Sequence, residues 1–124
     1  MFDRLSAYAP QALAVLRIVA AVLFLAHGVQ KVLGFPEGMS PPVGSIFWIA
    51  GIIEIVAGIL IAIGFFTRPA AFIASGTMAV AYFMVHAAQG PLPVANGGDA
   101  AILFCFVFLY LVFAGPGAWS VNKK

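Results

Sequence analysis

The sequence predicts an all-α fold: an integral membrane bundle of four transmembrane helices with both termini in the cytoplasm. Three observations predict it. Hydrophobic residues make up 64% of the 124-residue chain and charged residues 8%, against about 45–50% and about 25% in ordinary globular domains. The mean hydropathy is +1.10. The apolar residues fall into four long runs separated by tracts rich in proline and glycine. A soluble domain must cover its surface with polar groups, and six Lys and Arg with four Asp and Glu cannot do so. A cytosolic enzyme, a nucleic-acid binder and a disordered tail are therefore excluded. The net charge of +2 comes without any basic run that would suit nucleic acid.

Residues 1–124 read as a single transmembrane domain. Four spans of about 20 residues consume about 80 and leave about 44 for loops and tails. No Rossmann, haem-binding or iron–sulfur domain fits in that remainder, so any large soluble activity belongs to a partner.

The mixed segment Met1–Pro10 carries Asp3 and Arg4, with no small-residue cleavage site to mark a removed signal peptide. The first span is read over 12–33, with Pro10 suited to the helix start. Residues 34–44 hold Pro36, Pro41, Pro42 and three glycines, which punctuate a loop. The second span is read over 45–66. Thr67-Arg68-Pro69 makes a turn, with Pro69 in the first turn of the next helix. The third span is read over 70–89, and GPLPVANGG at 90–98 forms another loop. The fourth span is read over 99–114, extendable to Trp119, and Gly115-Pro116-Gly117 ends it.

Orientation follows from the basic residues. Arg4, Arg68, Lys123 and Lys124 share the side of the termini, and Lys31 stands alone on the other. The excess belongs in the cytoplasm, so the two longer loops face outward, to periplasm or exterior. A shared pattern, F-x-x-H-x-x-Q, ends the first span (Phe24, His27, Gln30) and the third (Phe83, His86, Gln89). It reads as a candidate trace of parallel duplication.

Ionisable groups inside spans are functional candidates because lipid penalises them. Arg17 falls roughly 8 Å in from the cytoplasmic end, and Glu54 roughly 14 Å in from the outer end, at 1.5 Å per residue. His27, Lys31, His86 and Asp99 fall in the outer third. Glu54 lies in a stripe of small residues (Ala50, Gly58, Ala62) that admits a close neighbouring helix, so its carboxylate points into the bundle. It reads either as a proton-carrying or ligand-binding carboxyl or as one half of a structural ion pair with Arg17 or Lys31. Arg17, Phe24, Gly28 and Lys31 share one helical face within about 40°. Snorkelling to headgroups is the simpler role for Arg17 and Lys31.

His27 and His86, on different helices at similar depth, meet the minimum for bis-histidine haem ligation. A hydrogen bond between helices is the commoner use of such residues. Asp99 offers only a weak third ligand for zinc, so no metal site is expected. A proton-relay or quinone-headgroup role suits His86 better, with Tyr82 one turn away. Asp99 also suits a helix N-terminus, as does Asn96. Cys105 is the single cysteine, which excludes a dithiol mechanism within this chain. Phe104, Phe106, Phe108, Tyr110 and Phe113 give the fourth span an aromatic wall, for packing, lipid contact or a flat ligand.

These residues resemble the DoxX family of small four-span bacterial membrane proteins over nearly the whole chain. The likeness rests on Arg17, HGVQK at 27–31, Glu54 with Gly58, GFFTRPAA at 64–71, His86, NGGD at 96–99 and GPGAWSV at 115–121. Family members usually carry Glu where Asp99 stands and Asp where Asn122 stands. The resemblance implies a membrane component of an oxidoreductase, linked to quinones and redox stress and working with soluble partners.

The leading expectation is thus the membrane subunit of a quinone-linked oxidoreductase or redox-stress complex. Glu54 and His86 would act catalytically, and His27, Lys31, Tyr82 and Asp99 would hold the headgroup. Arg17 would pair with Glu54. No intrinsic cofactor is expected. The alternatives are a small-molecule, ion or metal carrier using the same pocket, and an anchor that assembles soluble partners. Exposed small-residue stripes make a homo-oligomer plausible.

Overall fold

Each apolar run becomes helical because a backbone in lipid must satisfy its own hydrogen bonds. The computed structural model describes residues 2–34 and 41–124, so most of the loop expected at 34–44 lies outside the described residues. A 3₁₀ turn (Phe2–Tyr8) leads into α1 (Ala9–Leu33), followed by α2 (Ile46–Ile63) and α3 (Thr67–Ala81). The third run continues through a π turn (Tyr82–His86) and a 3₁₀ turn (Ala87–Gln89). A short α4 (Pro93–Asn96) precedes α5 (Asp99–Ala114). The described residues contain no strand. Three helical stretches, Phe2–Leu33, Ile46–Ile63 and Thr67–Gln89, are long and apolar enough to cross a membrane. The fourth, α5, is apolar and shorter at 16 residues.

Local chemistry places the ends. Gly34 closes α1 in the left-handed region (φ 67°), its N–H donating to the Gln30 carbonyl. The Ser45 hydroxyl accepts from Trp48 N at the start of α2. Three boundaries shift by three residues from the expected ones, the first being the start of α1 at Ala9 rather than 12. Gly64 (φ 74°) stops α2 at Ile63 rather than 66. Asn122 Oδ1, from the C-terminal tail, accepts from Phe66 N and lets α3 begin at Thr67 rather than 70. At the same end of the bundle, α5 stops at Ala114 as expected and does not extend to Trp119. Gly115 (φ 81°) and the N–H-free Pro116 turn the chain back.

The helices pack in the order α1, α2, α3, α5 around the bundle, with α1–α2 and α3–α5 the closest pairs and the α5–α1 contact the lightest. The core is alanine-rich (Ala20, Ala21, Ala57, Ala70, Ala71, Ala74, Ala101), closed by Phe24, Ile61, Phe108 and Leu111. Small side chains bring helix backbones together where apolar burial offers no drive, as in lipid. Large apolar residues such as Val15, Val19, Phe72, Ile73, Phe106 and Phe113 stand on the outside, where the bilayer covers them.

The α1–α2 seam is built on glycine. A Cβ at Gly28 would meet the Gly51 carbonyl at 2.8 Å and Glu54 Cβ at 2.9 Å, and one at Gly58 would meet Leu25 Cβ at 3.1 Å. The buried face of α2 is therefore Gly51, Glu54, Ala57, Gly58 and Ile61, not the strict four-residue stripe Ala50–Glu54–Gly58–Ala62. With 3.6 residues per turn a four-residue row drifts around the axis, and it leaves Ala50 and Ala62 half-buried.

At the terminal end Arg17 is fully buried, yet it does not snorkel. Its guanidinium donates to the carbonyls of Pro116, Ala118 (2.9 Å), Trp119 (2.9 Å) and Ala62 (3.4 Å). Arg68 donates to the carbonyls of Val112 and Phe113, the last turn of α5. Backbone bonds from Val121 to Ile63 and from Asn122 to Gly64 complete a tail folded across this end.

Candidate functional site

At the opposite end the four spans enclose a cavity of about 230 Å³. Phe24, His27 and Lys31 of α1, Glu54 of α2, His86 at the end of the π turn and Phe104 of α5 line it, with Met78, Ala81, Gly97, Ala100 and Ala101. Glu54 is 1% exposed, and Lys31 Nζ donates to its Oε2 at 2.7 Å, an ion pair with no other like it among the described residues. The expected Arg17–Glu54 pair does not form. In the antiparallel α1–α2 hairpin Arg17 faces position 62, about 12 Å along the axis from Glu54 at 1.5 Å per residue. Lys31 is the nearer cation.

The histidines meet the cavity from opposite sides. His27 Nδ1 lies 2.8 Å from the Leu23 carbonyl, one turn back, and its ring meets Phe104 edge-on. His86 Nδ1 lies 3.1 Å from the Asn96 carbonyl. A carbonyl only accepts, so each Nδ1 donates, and in a neutral imidazole the other nitrogen, Nε2, is then the acceptor. The F-x-x-H-x-x-Q pattern thus puts both histidines on one cavity. Its phenylalanines part company, Phe24 in the core and Phe83 exposed.

Asn96 organises this end. It is 4% exposed, and its Nδ2 donates to the Gly90 carbonyl (2.9 Å) and to Tyr82 Oη (3.2 Å). Its Oδ1 accepts from Gly98 N. The Tyr82 ring stacks near His86, and a Cβ at Gly98 would collide with that ring. The π turn matters here because its extra residue rotates everything beyond it about the axis, and His86 stands at its end. Tyr82 positions His86 and does not line the cavity. Asp99 is exposed at the start of α5 and is also absent from the lining.

The aromatic wall divides. Phe104 faces the cavity and stacks on Phe108 (5.8 Å, 10°), which packs edge-on against Phe24. Phe106, Tyr110 and Phe113 are exposed. Cys105 is half-buried, and its carbonyl accepts from Ser75 Oγ at 2.8 Å, tying α5 to α3. Sequence reasoning read Asn96, within NGGD, as a helix cap or as part of the cavity mouth, and an amide among loop glycines is also a signal for local cross-linking.

The cavity-lining cation, carboxylate and both histidines lie between residues 27 and 86. The DoxX family profile matches residues 12–87. The chain belongs to the DoxX family. An uncharacterized protein of Haemophilus influenzae is 47% identical, over 98% of this chain and 96% of its own. The inner membrane protein YphA of Escherichia coli is 31% identical, over 93% and 91%. An uncharacterized membrane protein of Mycobacterium tuberculosis is 25% identical over 97% and 85%. No solved structure matches. This DoxX-family chain is thus a multi-pass protein of the bacterial inner membrane, its outer surface in contact with lipid. Within the matched segment fall Arg17, His27, Lys31, Glu54 and His86, whereas Asn96 and the tail that cages Arg17 lie beyond it.

Proposed function

We propose that this DoxX-family protein is the membrane subunit of a quinone-linked oxidoreductase, with the quinone ring bound in the cavity beside Glu54. The carrying observation is the composition of that cavity. It joins a buried carboxylate–ammonium pair, two histidine Nε2 positions and the Phe104 face. A void of about 150 Å³ is enough for a benzene-sized ring, and this one is larger at about 230 Å³.

Reduction of a quinone to the quinol takes two electrons and two protons, Q + 2e⁻ + 2H⁺ → QH₂. The electrons pass to or from a soluble redox partner. Lys31 and the histidines hold the quinone oxygens by hydrogen bonds, and Glu54 and His86 exchange protons with them. Glu54 and Lys31 together carry no net charge, so a proton passed from the pair to the ligand leaves the pair net negative, and a proton from the outward side must replace it. The closed Ala and Phe core below Glu54 speaks against a carrier route through the bundle.

Two tryptophans supply the test. Trp48 lies on α2 near the cavity end, and Trp119 lies in the terminal tail. In a Trp119→Phe background, quinone titration should quench Trp48, and Glu54→Gln or His86→Phe should weaken binding about tenfold. Absence of quenching in the intact protein overturns the reading. A soluble partner that co-purifies regardless of Glu54 and His86 would then favour the anchor role.

A further inference from the structure

A second, larger hollow adjoins the cavity. An apolar groove of about 570 Å³ runs down the outside of the bundle between α2 and α3, walled by Ile46, Ile49, Ile53, Val80 and Met84 with Gly76 at its inner end. Groove and cavity share Lys31, Ala81 and His86 in their linings, so the two spaces adjoin at these residues. From His86 to Gly76 the groove extends about 15 Å at 1.5 Å per residue. Its one hydroxyl, Thr77 Oγ1, donates to the Ile73 carbonyl at 2.8 Å and offers the groove no unmet polar group.

Gly76 is the second observation. Gly28, Gly51 and Gly58 each press against another helix, but a Cβ built at Gly76 meets nothing within 4 Å. A glycine inside a helix costs about 0.5–1 kcal/mol relative to alanine, and no packing contact in this protein recovers it. An open glycine on a groove floor is the arrangement that lets a ligand approach the backbone. The neighbouring seams are shut, α1–α2 by the Gly28–Gly51 contact and α3–α5 by the Ser75–Cys105 bond.

We infer that the α2–α3 groove holds the apolar tail of a membrane-soluble quinone whose ring occupies the cavity, so that the substrate enters sideways from the bilayer. The inference rests on the quinone reading above and specifies the class of quinone: isoprenoid-tailed, not water-borne. Tail and lipid are equally apolar, so the groove gains little from hydrophobic transfer. It acts by fit, aligning the tail so that the ring reaches Lys31 and His86.

The test uses the full chain in nanodiscs, with a long-tailed benzoquinone and the same ring lacking its tail, each dosed per lipid. Gly76→Phe fills the groove without touching the cavity lining, and Gly76→Ala grades the same obstruction with a smaller side chain. The expected result is that Gly76→Phe raises the dissociation constant of the tailed quinone about tenfold and leaves that of the tail-less ring unchanged. Gly76→Ala, a smaller obstruction on the same groove floor, should weaken binding of the tailed quinone less than Gly76→Phe does and leave that of the tail-less ring unchanged. Equal binding of the tailed quinone to wild type and Gly76→Phe overturns the inference. So does binding of the tail-less ring alone, while the function proposal stands. If neither quinone binds the wild type, both fall.

Discussion

Lys31 Nζ reaches Glu54 Oε2 across 2.7 Å because Gly28 and Gly51 let α1 and α2 touch backbone to backbone. The pair is unequal, with the Lys31 side chain 31% exposed and Glu54 1%. That inequality makes the two halves separable by experiment.

Lys31→Met leaves a carboxylate buried without its cation, whereas Glu54→Gln leaves a lysine able to swing to the headgroups. Losing the partner of a buried charge costs about 3–5 kcal/mol, and partial exposure of this pair brings the expected loss for Lys31→Met to about 2–3 kcal/mol. Glu54→Gln should cost less than half as much. Thermal unfolding in detergent compares them, and equal losses would refute the asymmetry.

Gly28→Ala should destabilise by about 1–3 kcal/mol through overpacking, because its Cβ meets a carbonyl and a Cβ on α2 below 3 Å. The same substitution at Gly76 should be neutral or stabilising by up to about 1 kcal/mol. Melting temperatures of the two variants should therefore move in opposite directions or differ clearly in size.

Arg17→Lys keeps the charge and loses the planar fork that reaches four carbonyls on two segments. We expect a loss of about 2–4 kcal/mol, since the remaining carbonyls are buried without donors. Hydrogen exchange at the Val121 and Asn122 amides should accelerate, while the amides around His86 stay protected. Unchanged exchange in the tail would show that Arg17 does not hold it.

Asn122 tests the departure from the usual family residue. Its Oδ1 accepts from Phe66 N and Lys124 N, a task an Asp carboxylate performs as well. Asn122→Asp should leave stability within about 0.5 kcal/mol, and Asn122→Ala should cost about 1 kcal/mol as a lost cap. Chemical or thermal unfolding of both variants measures the difference.

Asn96→Asp should loosen the loop end, because the carboxylate cannot donate to the Gly90 carbonyl or to Tyr82 Oη. The expected cost is about 1–3 kcal/mol for the donors lost, seen as faster exchange around Gly98. Under the proposed function the same variant weakens quinone binding without altering any cavity-lining side chain.

Much of the molecule was legible in the chain, and the failures are instructive. Apolar runs marked the helices because lipid leaves the backbone few alternatives, and α5 spans Asp99–Ala114 as read. Boundaries near Gly64 and Thr67 were missed because a side chain 56 residues away caps α3. The π turn was invisible because no local residue pattern encodes it. Tyr82 was grouped with the cavity as one turn from His86 and Asp99 by its depth, yet neither is in the cavity lining, because spacing and depth do not give rotation around a helix axis.

The sequence by itself determined that this is a helical membrane protein of the DoxX type and that its few intramembrane charges gather toward one end. The helical membrane character and the placement of the charges need only composition and order along the chain, and the DoxX likeness rests on its short motifs. Which cation meets Glu54 was decided by tertiary structure. Arg17 and Lys31 lie on one face of α1, and only the register of α1 against α2, set by glycines 23 residues apart in sequence, brings Lys31 to the carboxylate. The same register delivers Arg17 to backbone carbonyls at the other end. Pairing across helices depends on axial offset and rotation, both products of non-local packing.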